Sequence, residues 1–196
     1  MKLAPIAAAL SLSLAPALSF AATTNNLDIY YIPSADIEID ADAGGEASDD
    51  GDGYGIKGEF QFTDQAFFTG EYQSVEYDDA GDLDQIRAGA GYRFTTDALP
   101  IWYVRGEFVQ FDDGDDDQNG YGVHGGVRGE NGRLGIVAEV GYVDVDEADG
   151  FEFLVGGDYS IDSTFALFAD YRYTDLDADG GDITLKDVRL GVRARF

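Results

Sequence analysis

His124 is the only histidine among 196 residues, so it is where a general base or an imidazole metal ligand would have to sit. Its neighbours two positions away on either side are Gly122 and Gly126. That context suits a polar residue on one face of a strand as well as it suits a ligand. Ser48, Ser74, Ser160 and Ser163 lie in no nucleophile-elbow context, and no Ser–His pairing with an orienting partner is legible. There is no cysteine, which removes disulfides and thiolate chemistry. An enzymatic role is therefore not expected.

Carboxylates are the abundant chemical group. The chain carries 39 acidic residues against 12 basic ones, a formal charge of -27. Such a balance opposes nucleic-acid binding, which needs a basic footprint. It favours a strongly solvated surface that gathers cations. Asp175, Asp177 and Asp179 alternate before Gly180, like the opening of a calcium loop. The closing glutamate is missing, because Lys186 stands there, and Asp182 is the substitute on offer. A second cluster comprises Asp112, Asp113, Asp115, Asp116 and Asp117, and a third runs from Asp36 to Asp52. Simple solvation is one reading of these clusters. Weak binding of divalent cations such as calcium is the other, and no tightly held cofactor is expected.

The elements that must position these groups are short and alternating. From Leu27 onward, stretches of about ten residues carry period-two alternation. The last is the clearest: Val188, Leu190, Val192, Ala194 and Phe196 share one face, with Asp187, Arg189, Gly191, Arg193 and Arg195 on the other. The same parity runs back through the chain as far as Tyr54. The first strand, Leu27 to about Ile39, is interrupted by Pro33; Ile29, Tyr31, Ile37 and Ile39 are read as its outer face. The count is about ten strands, with eight as the alternative.

The connections sort into two classes. Those near Thr63-Asp64, Thr96 to Leu99, Asn131-Gly132 and Asp162-Ser163 are short. Those at 40–52, 77–84, 112–119, 144–150 and 175–182 are aspartate-rich and mostly longer. This regular alternation predicts an all-β, antiparallel up-and-down barrel with two unlike ends, rather than a sandwich. One face of the strands holds nearly all the aromatic and aliphatic side chains, as a lipid-facing wall would.

The opposite face collects the scarce bases: Lys57, Arg87, Arg93, Arg105 and Arg128, then Arg133, Arg172, Arg189, Arg193 and Arg195. Acids share it: Glu59, Glu71, Glu107, Glu130 and Glu139, then Glu152, Asp158, Asp170 and Asp187. Isolated charges in a narrow interior cost several kcal/mol, so a paired lumenal network is expected. Glycines on this face, such as Gly55, Gly126 and Gly141, are expected to make room for the long arginines.

Residues 1–22 read as a secretory signal peptide: a positive start at Lys2, an apolar stretch to Phe20, then Ala21-Ala22. A membrane anchor is the alternative. Residues 23–196 form the barrel domain. The Gly-Tyr-Gly-Ile-Lys-Gly run at 53–58, the Gly-Glu-Tyr within 67–76, Ala-Gly-Ala-Gly-Tyr at 88–92 and Gly-Tyr-Gly-Val-His-Gly-Gly at 120–126 carry a resemblance. They resemble small outer-membrane β-barrels of porin-like and OmpA-like type, and among these the Ax21-like family.

The resemblance implies location in the outer membrane. It also implies insertion by the assembly machinery, which reads a final strand ending in an aromatic, here Val188, Leu190, Val192 and Phe196. Outer-membrane lipids and lipopolysaccharide, bridged by cations to the acidic loops, are the expected partners of a monomer. Three functions compete: a structural or surface-interacting barrel, a narrow low-conductance channel, and a soluble secreted calcium-binding β-protein.

Overall fold

The computed structural model describes residues 25–41, 44–94, 100–114, 117–146, 148–178 and 180–196. The proposed signal peptide, the Thr96–Leu99 turn, and Asp42, Asp115, Asp116 and Asp179 lie outside these residues. Ten strands follow one another: β1 (Asn26–Ala41), β2 (Glu46–Gln61), β3 (Ala66–Tyr77), β4 (Gly81–Phe94) and β5 (Ile101–Asp112). Then come β6 (Asp117–Asn131), β7 (Leu134–Val145), β8 (Ala148–Ser160), β9 (Phe165–Ala178) and β10 (Gly181–Arg195). Each pairs antiparallel with its chain neighbours, and β1 closes on β10 through a register that sets Asn26 opposite Arg195. Closure leaves no edge, so every ladder has a partner on both sides. This is the ten-stranded up-and-down barrel; the sandwich and eight-strand readings fall away.

The aspartate-rich segments are not long loops. Strands run into them from both sides, so Glu46–Asp52 is ladder in β2 and Asp175–Ala178 is ladder in β9. The connection after β1 shrinks to 42–45, and that after β3 to 78–80. Alternation of carboxylate with small or apolar residues is itself a strand pattern, which a loop reading of composition overlooks. The calcium-loop reading fails for the same reason. Asp177 and Asp182 face each other across the β9–β10 ladder, and Asp175 accepts a hydrogen bond from Thr184 Oγ1 at 3.2 Å. A strand spreads alternate carboxylates along a line, whereas a calcium loop folds them round a point.

The two faces of the wall exchange character part-way up. On β10, Val188, Leu190 and Val192 point outward over Asp187, Arg189 and Arg193; beyond them Asp182 points outward over Leu185 and Ile183. On β7, Ile136, Val140 and Tyr142 are outside, but Asp144 is outside where Val143 and Val145 are fully buried within. The lower wall thus has an apolar exterior and a charged interior; the upper wall has an acidic exterior and an apolar interior. On β2 the outward apolar stretch runs from Tyr54 to Phe62, close to the roughly 9–11 residues a tilted strand needs to cross a membrane. Tyrosines mark the boundary. The hydroxyl of Tyr31 donates to Asp52 and that of Tyr72 to Asp84, both at 3.0 Å, and Tyr142 donates to Asp149.

Pro33 is where the expected parity breaks. It sits in a bulge: the register of β1 shifts between Tyr31 and Ser34 against β10, and between Ile32 and Ala35 against β2. A residue with no N–H to give the ladder is tolerated there. The shift reverses the faces. Ile29 and Tyr31 point outward, but Ile37 packs on the inner cluster of Tyr30, Ile32, Ala35, Val75, Tyr77 and Phe168, and Ile39 lines the same end of the lumen. The outward placement expected of Ile37 and Ile39 is therefore corrected.

At the acidic end, β2 clips the β3–β4 turn. Asp49 Oδ2 accepts hydrogen bonds from the backbone N–H groups of Asp79 and Ala80, both at 2.7 Å. The Asp79 N–H above all, with those of Ala80 and Asp50, holds this carboxyl below its ordinary value of 3.8. A lowered folded value means the clip contributes above 3.8 and is lost as pH falls below it. Asp49→Ala should raise protease cleavage within 78–80 several-fold at neutral pH, with the rest of the barrel uncut. In acid-protease digests the difference between wild type and variant should shrink as pH falls below 3.8 and vanish once it passes the lowered folded value.

Candidate functional site: the charged lumen

Alternation along ten strands sends a charged side chain inward at nearly every level of the lower lumen. Nearest the chain ends, Arg193 grips Asp28 with Nε and Nη2, both at 2.8 Å, and reaches Asp158 at 3.3 Å. Arg195 also holds Asp158, at 2.6 Å. Glu59 is shared by Arg93 at 2.5 Å and Arg128 at 3.5 Å, and accepts from Asn26 Nδ2 at 3.2 Å.

The middle layer is the densest. Glu71 receives Arg172 at 2.8 Å, Arg189 at 2.7 Å and the Tyr30 hydroxyl at 2.7 Å, with Lys57 at 3.9 Å. Arg189 Nε donates to Asp170 at 2.5 Å. Arg87 forks onto Glu152, Nη1 to Oε1 at 2.8 Å and Nη2 to Oε2 at 2.5 Å, while Nη1 also reaches Glu107 at 2.8 Å. Arg105 joins Glu107 to Glu139, and Tyr103 donates to Glu139 at 2.8 Å. Above this, Gln73 Nε2 donates to Asp187 at 2.9 Å and Thr174 Oγ1 to Glu152 at 3.0 Å.

These charges lie well out of water: Arg87 is 2% exposed and Glu152 is 2% exposed. A buried ion is tolerable only with good geometry and its remaining lone pairs and protons satisfied. Forked guanidinium–carboxylate contacts, each shared with a further partner, meet most of that condition, although Arg87 Nε, Arg172 Nε and Arg189 Nη2 are buried without a hydrogen-bond acceptor. Several join strands that are far apart in the barrel, as Arg87 on β4 does with Glu152 on β8. The network therefore braces the barrel across its lumen as well as filling it.

His124 lies inside this layer, with Nε2 2.9 Å from Glu107 Oε1 and Nδ1 3.7 Å from Glu139. Its ring rests on backbone: a Cβ at Gly141 or Gly122 would collide with the imidazole. The inward glycines make room chiefly for rings, not arginines. Gly55 faces Tyr30, Gly126 faces Tyr103 and Gly141 faces His124. Glu107, His124 and Glu152 bring one ligand atom each within 4.8 Å of one another. Arg87 already holds both carboxylates, so a dication there would stand against a guanidinium. The trio reads as part of the ion-pair network rather than as a metal centre.

Of the charged residues expected in the lumen, Glu130 and Arg133 are not there. Both are exposed, Glu130 at the end of β6 and Arg133 in the turn to β7, where the parity carries them past the rim of the barrel. Residues the sequence reading passed over are Asp28, Asn26, Tyr30, Gln73, Tyr103 and Thr174. Asp28 and Tyr30 alternate with Ile29 and Tyr31, a signal that the doubt about β1 obscured. Val188, Leu190, Val192 and Phe196 lie on the outer wall, where Phe196 packs edge-on against Phe60 with ring centres 6.3 Å apart.

A family model described as "Outer membrane protein beta-barrel domain" matches residues 6–196. Among solved structures, the chain is similar to Neisserial surface protein A (16% identity, 89% of this chain and 99% of that one, TM-score 0.47). It is also similar to the N-terminal β-barrel domain of Pseudomonas aeruginosa OprF (16%, 87% and 97%, TM-score 0.37). A third likeness is to Ail of Yersinia pestis (16%, 88% and 98%, TM-score 0.37). No curated protein matches the sequence.

Proposed function

Because the chain belongs to the outer-membrane β-barrel protein family and is thus an integral protein of the outer membrane, we propose that it is a non-enzymatic, closed-lumen barrel whose acidic end faces the cell exterior. The observation that carries the closed lumen is the cross-barrel ion-pair layer. Beneath it, beside Lys57, Glu59 and Arg128, the free space is about 40 Å³; above it, beside Gln73, Arg172 and Asp187, it is about 10 Å³. The second of these is near the size of one water.

Orientation follows from the ends. Asn25 and Phe196, which exchange backbone hydrogen bonds, share one end with tight turns such as Gly132-Arg133, the periplasmic end in bacterial barrels. The acidic strand extensions then stand outside the cell. There their carboxylates draw divalent cations that lipopolysaccharide phosphates can share. His124, 1% exposed and enclosed by ion pairs, is out of a substrate's reach, which supports a role without catalysis.

Single-channel recording in planar bilayers tests the closed lumen. Refolded protein should insert silently. A steady conductance carried by the wild type would overturn this reading in favour of a narrow channel.

A further inference from the structure

The apolar upper lumen does not fill itself. Val109, Val143, Val145 and Leu176 pack into a buried cluster, but Leu83, Ile183 and Leu185 lie only partly buried against it. With Ile37 and Phe111 these three wall an open cup of about 280 Å³ at the acidic mouth. The bulge at Pro33 helps to build it, because the shifted register turns Ile37 and Ile39 inward. The cup is a dead end, since Gln73, Gln85, Arg172, Thr174 and Asp187 line the small space beneath it. Apolar walls left in water favour an apolar occupant.

The chain has no side chain at this mouth that could be that occupant. The turns here, residues 42–45, 78–80, 113–116, 146–147 and 179–180, are aspartate, glutamate, glycine and alanine throughout. A second copy brings the same turns, and its outward apolar side chains lie at or below the boundary that the Tyr31, Tyr72 and Tyr142 hydroxyls mark. That boundary also keeps bilayer chains on the far side of the wall. A free small molecule is what remains.

The wall sets its chemistry. Leucine, isoleucine and phenylalanine offer an ion nothing in exchange for its lost hydration. Asp82 takes the outward parity of β4, opposite to inward Leu83 and Gln85, and Asp113 at the rim already has a partner. Lys186, the basic side chain at this end among the described residues, is held by Glu38 at 2.6 Å. An engineered apolar cavity of roughly 150 Å³ accepts benzene, so the cup has room for one ring with a short alkyl arm.

We propose that the mouth cup is a binding site for a small neutral hydrocarbon about the size of an alkylbenzene. The inference goes beyond the closed-lumen reading and does not need it. A conducting barrel would still carry the cup, so the bilayer and binding results can fail separately.

The test uses the folded mature protein in nanodiscs, with isoleucine and leucine methyls labelled for NMR, titrated with propylbenzene, whose ring current marks the methyls it touches. The methyls of Ile37, Leu83, Ile183 and Leu185 should shift and saturate together. Those of Leu134 and Leu190, exposed on the outer wall, should drift without saturating, as partition into lipid alone would make them do. 3-Phenylpropylammonium and 3-phenylpropanoate, with the same ring and arm plus a charge, should bind roughly tenfold more weakly or less. Leu185→Trp, which fills the cup, should weaken propylbenzene binding roughly tenfold or more, read at Ile37 and Ile183. Leu83→Trp on the same wall repeats that arm should Leu185→Trp fail to give the heat-modifiable gel shift of a folded barrel. Cup methyls that drift like Leu134 and Leu190 overturn the site. NOEs from lipid chains to the cup methyls before any probe is added would give the cup to a lipid and overturn the free ligand. Equal binding of the charged probes overturns the neutral class, and unchanged binding in a folded tryptophan variant overturns the location.

Discussion

Arg87→Met should cost the barrel about 3–5 kcal/mol of stability, the usual penalty for stripping one partner from a buried ion pair. Arg87 is the cation that Glu107 and Glu152 share, and all three side chains lie almost wholly out of water. Without it, the two carboxylates in the middle of the lumen keep Arg105, the His124 imidazole 2.9 Å from Glu107, Arg172 at 4.0 Å and the Thr174 hydroxyl as support. Urea unfolding from lipid vesicles, followed by the fluorescence of the single tryptophan, Trp102, would measure the loss. Adding Glu152→Gln should restore part of it, because one of the orphaned charges is then neutral. Arg133→Met, on an exposed turn outside the lumen, should change stability by no more than about 0.5 kcal/mol. Equal, small losses at Arg87 and Arg133 would mean that water already screens the lumen, and the bracing role would fail with it.

Val140→Arg should cost about 1–3 kcal/mol, between the roughly 2–4 kcal/mol of an arginine on the lipid face at the bilayer midplane and the roughly 0–1 kcal/mol at the interface. Val140 is 64% exposed, outward on β7 between Ala138 and Tyr142. Four residues past Tyr142, Asp146 begins the turn to β8, and Asp144 lies between them on the same face as Tyr142. Asp144→Arg keeps the strand, the face and the incoming side chain, and moves only across the tyrosine boundary. Its cost should stay within about 0.5 kcal/mol. The same vesicle-unfolding assay reads both. Equal penalties would place the membrane boundary higher on the barrel than the Tyr31, Tyr72 and Tyr142 hydroxyls do.

Much of the lower barrel was legible before any coordinates, because its signal is local. Side chains of a strand alternate, so Val188, Leu190 and Val192 had to face away from Asp187, Arg189 and Arg193 wherever the strand lay. The shared parity of the arginines and glutamates announced a charged interior. Glu130 and Arg133 share that parity yet lie outside, since parity says which face a residue takes and not how far the barrel wall extends. Pro33 marked trouble in β1, but not its outcome. One extra residue in a ladder reverses every face beyond it, which is how Ile37 changed sides.

Alternation and composition, properties of each segment alone, pointed to about ten strands and to which face each residue takes, and made the membrane the leading reading of one of their two solvents. They were not enough for the acidic segments, whose aspartates read as loops until the ladders placed them in strands. Register and closure, which involve all ten strands together, decided which acid meets which base across the lumen. They also decided where the wall exchanges its faces. Arg87 and Glu152 are 65 residues apart and meet only when the barrel closes. No period within either strand could carry that pairing, because it depends on the width of a cylinder that neither strand forms by itself.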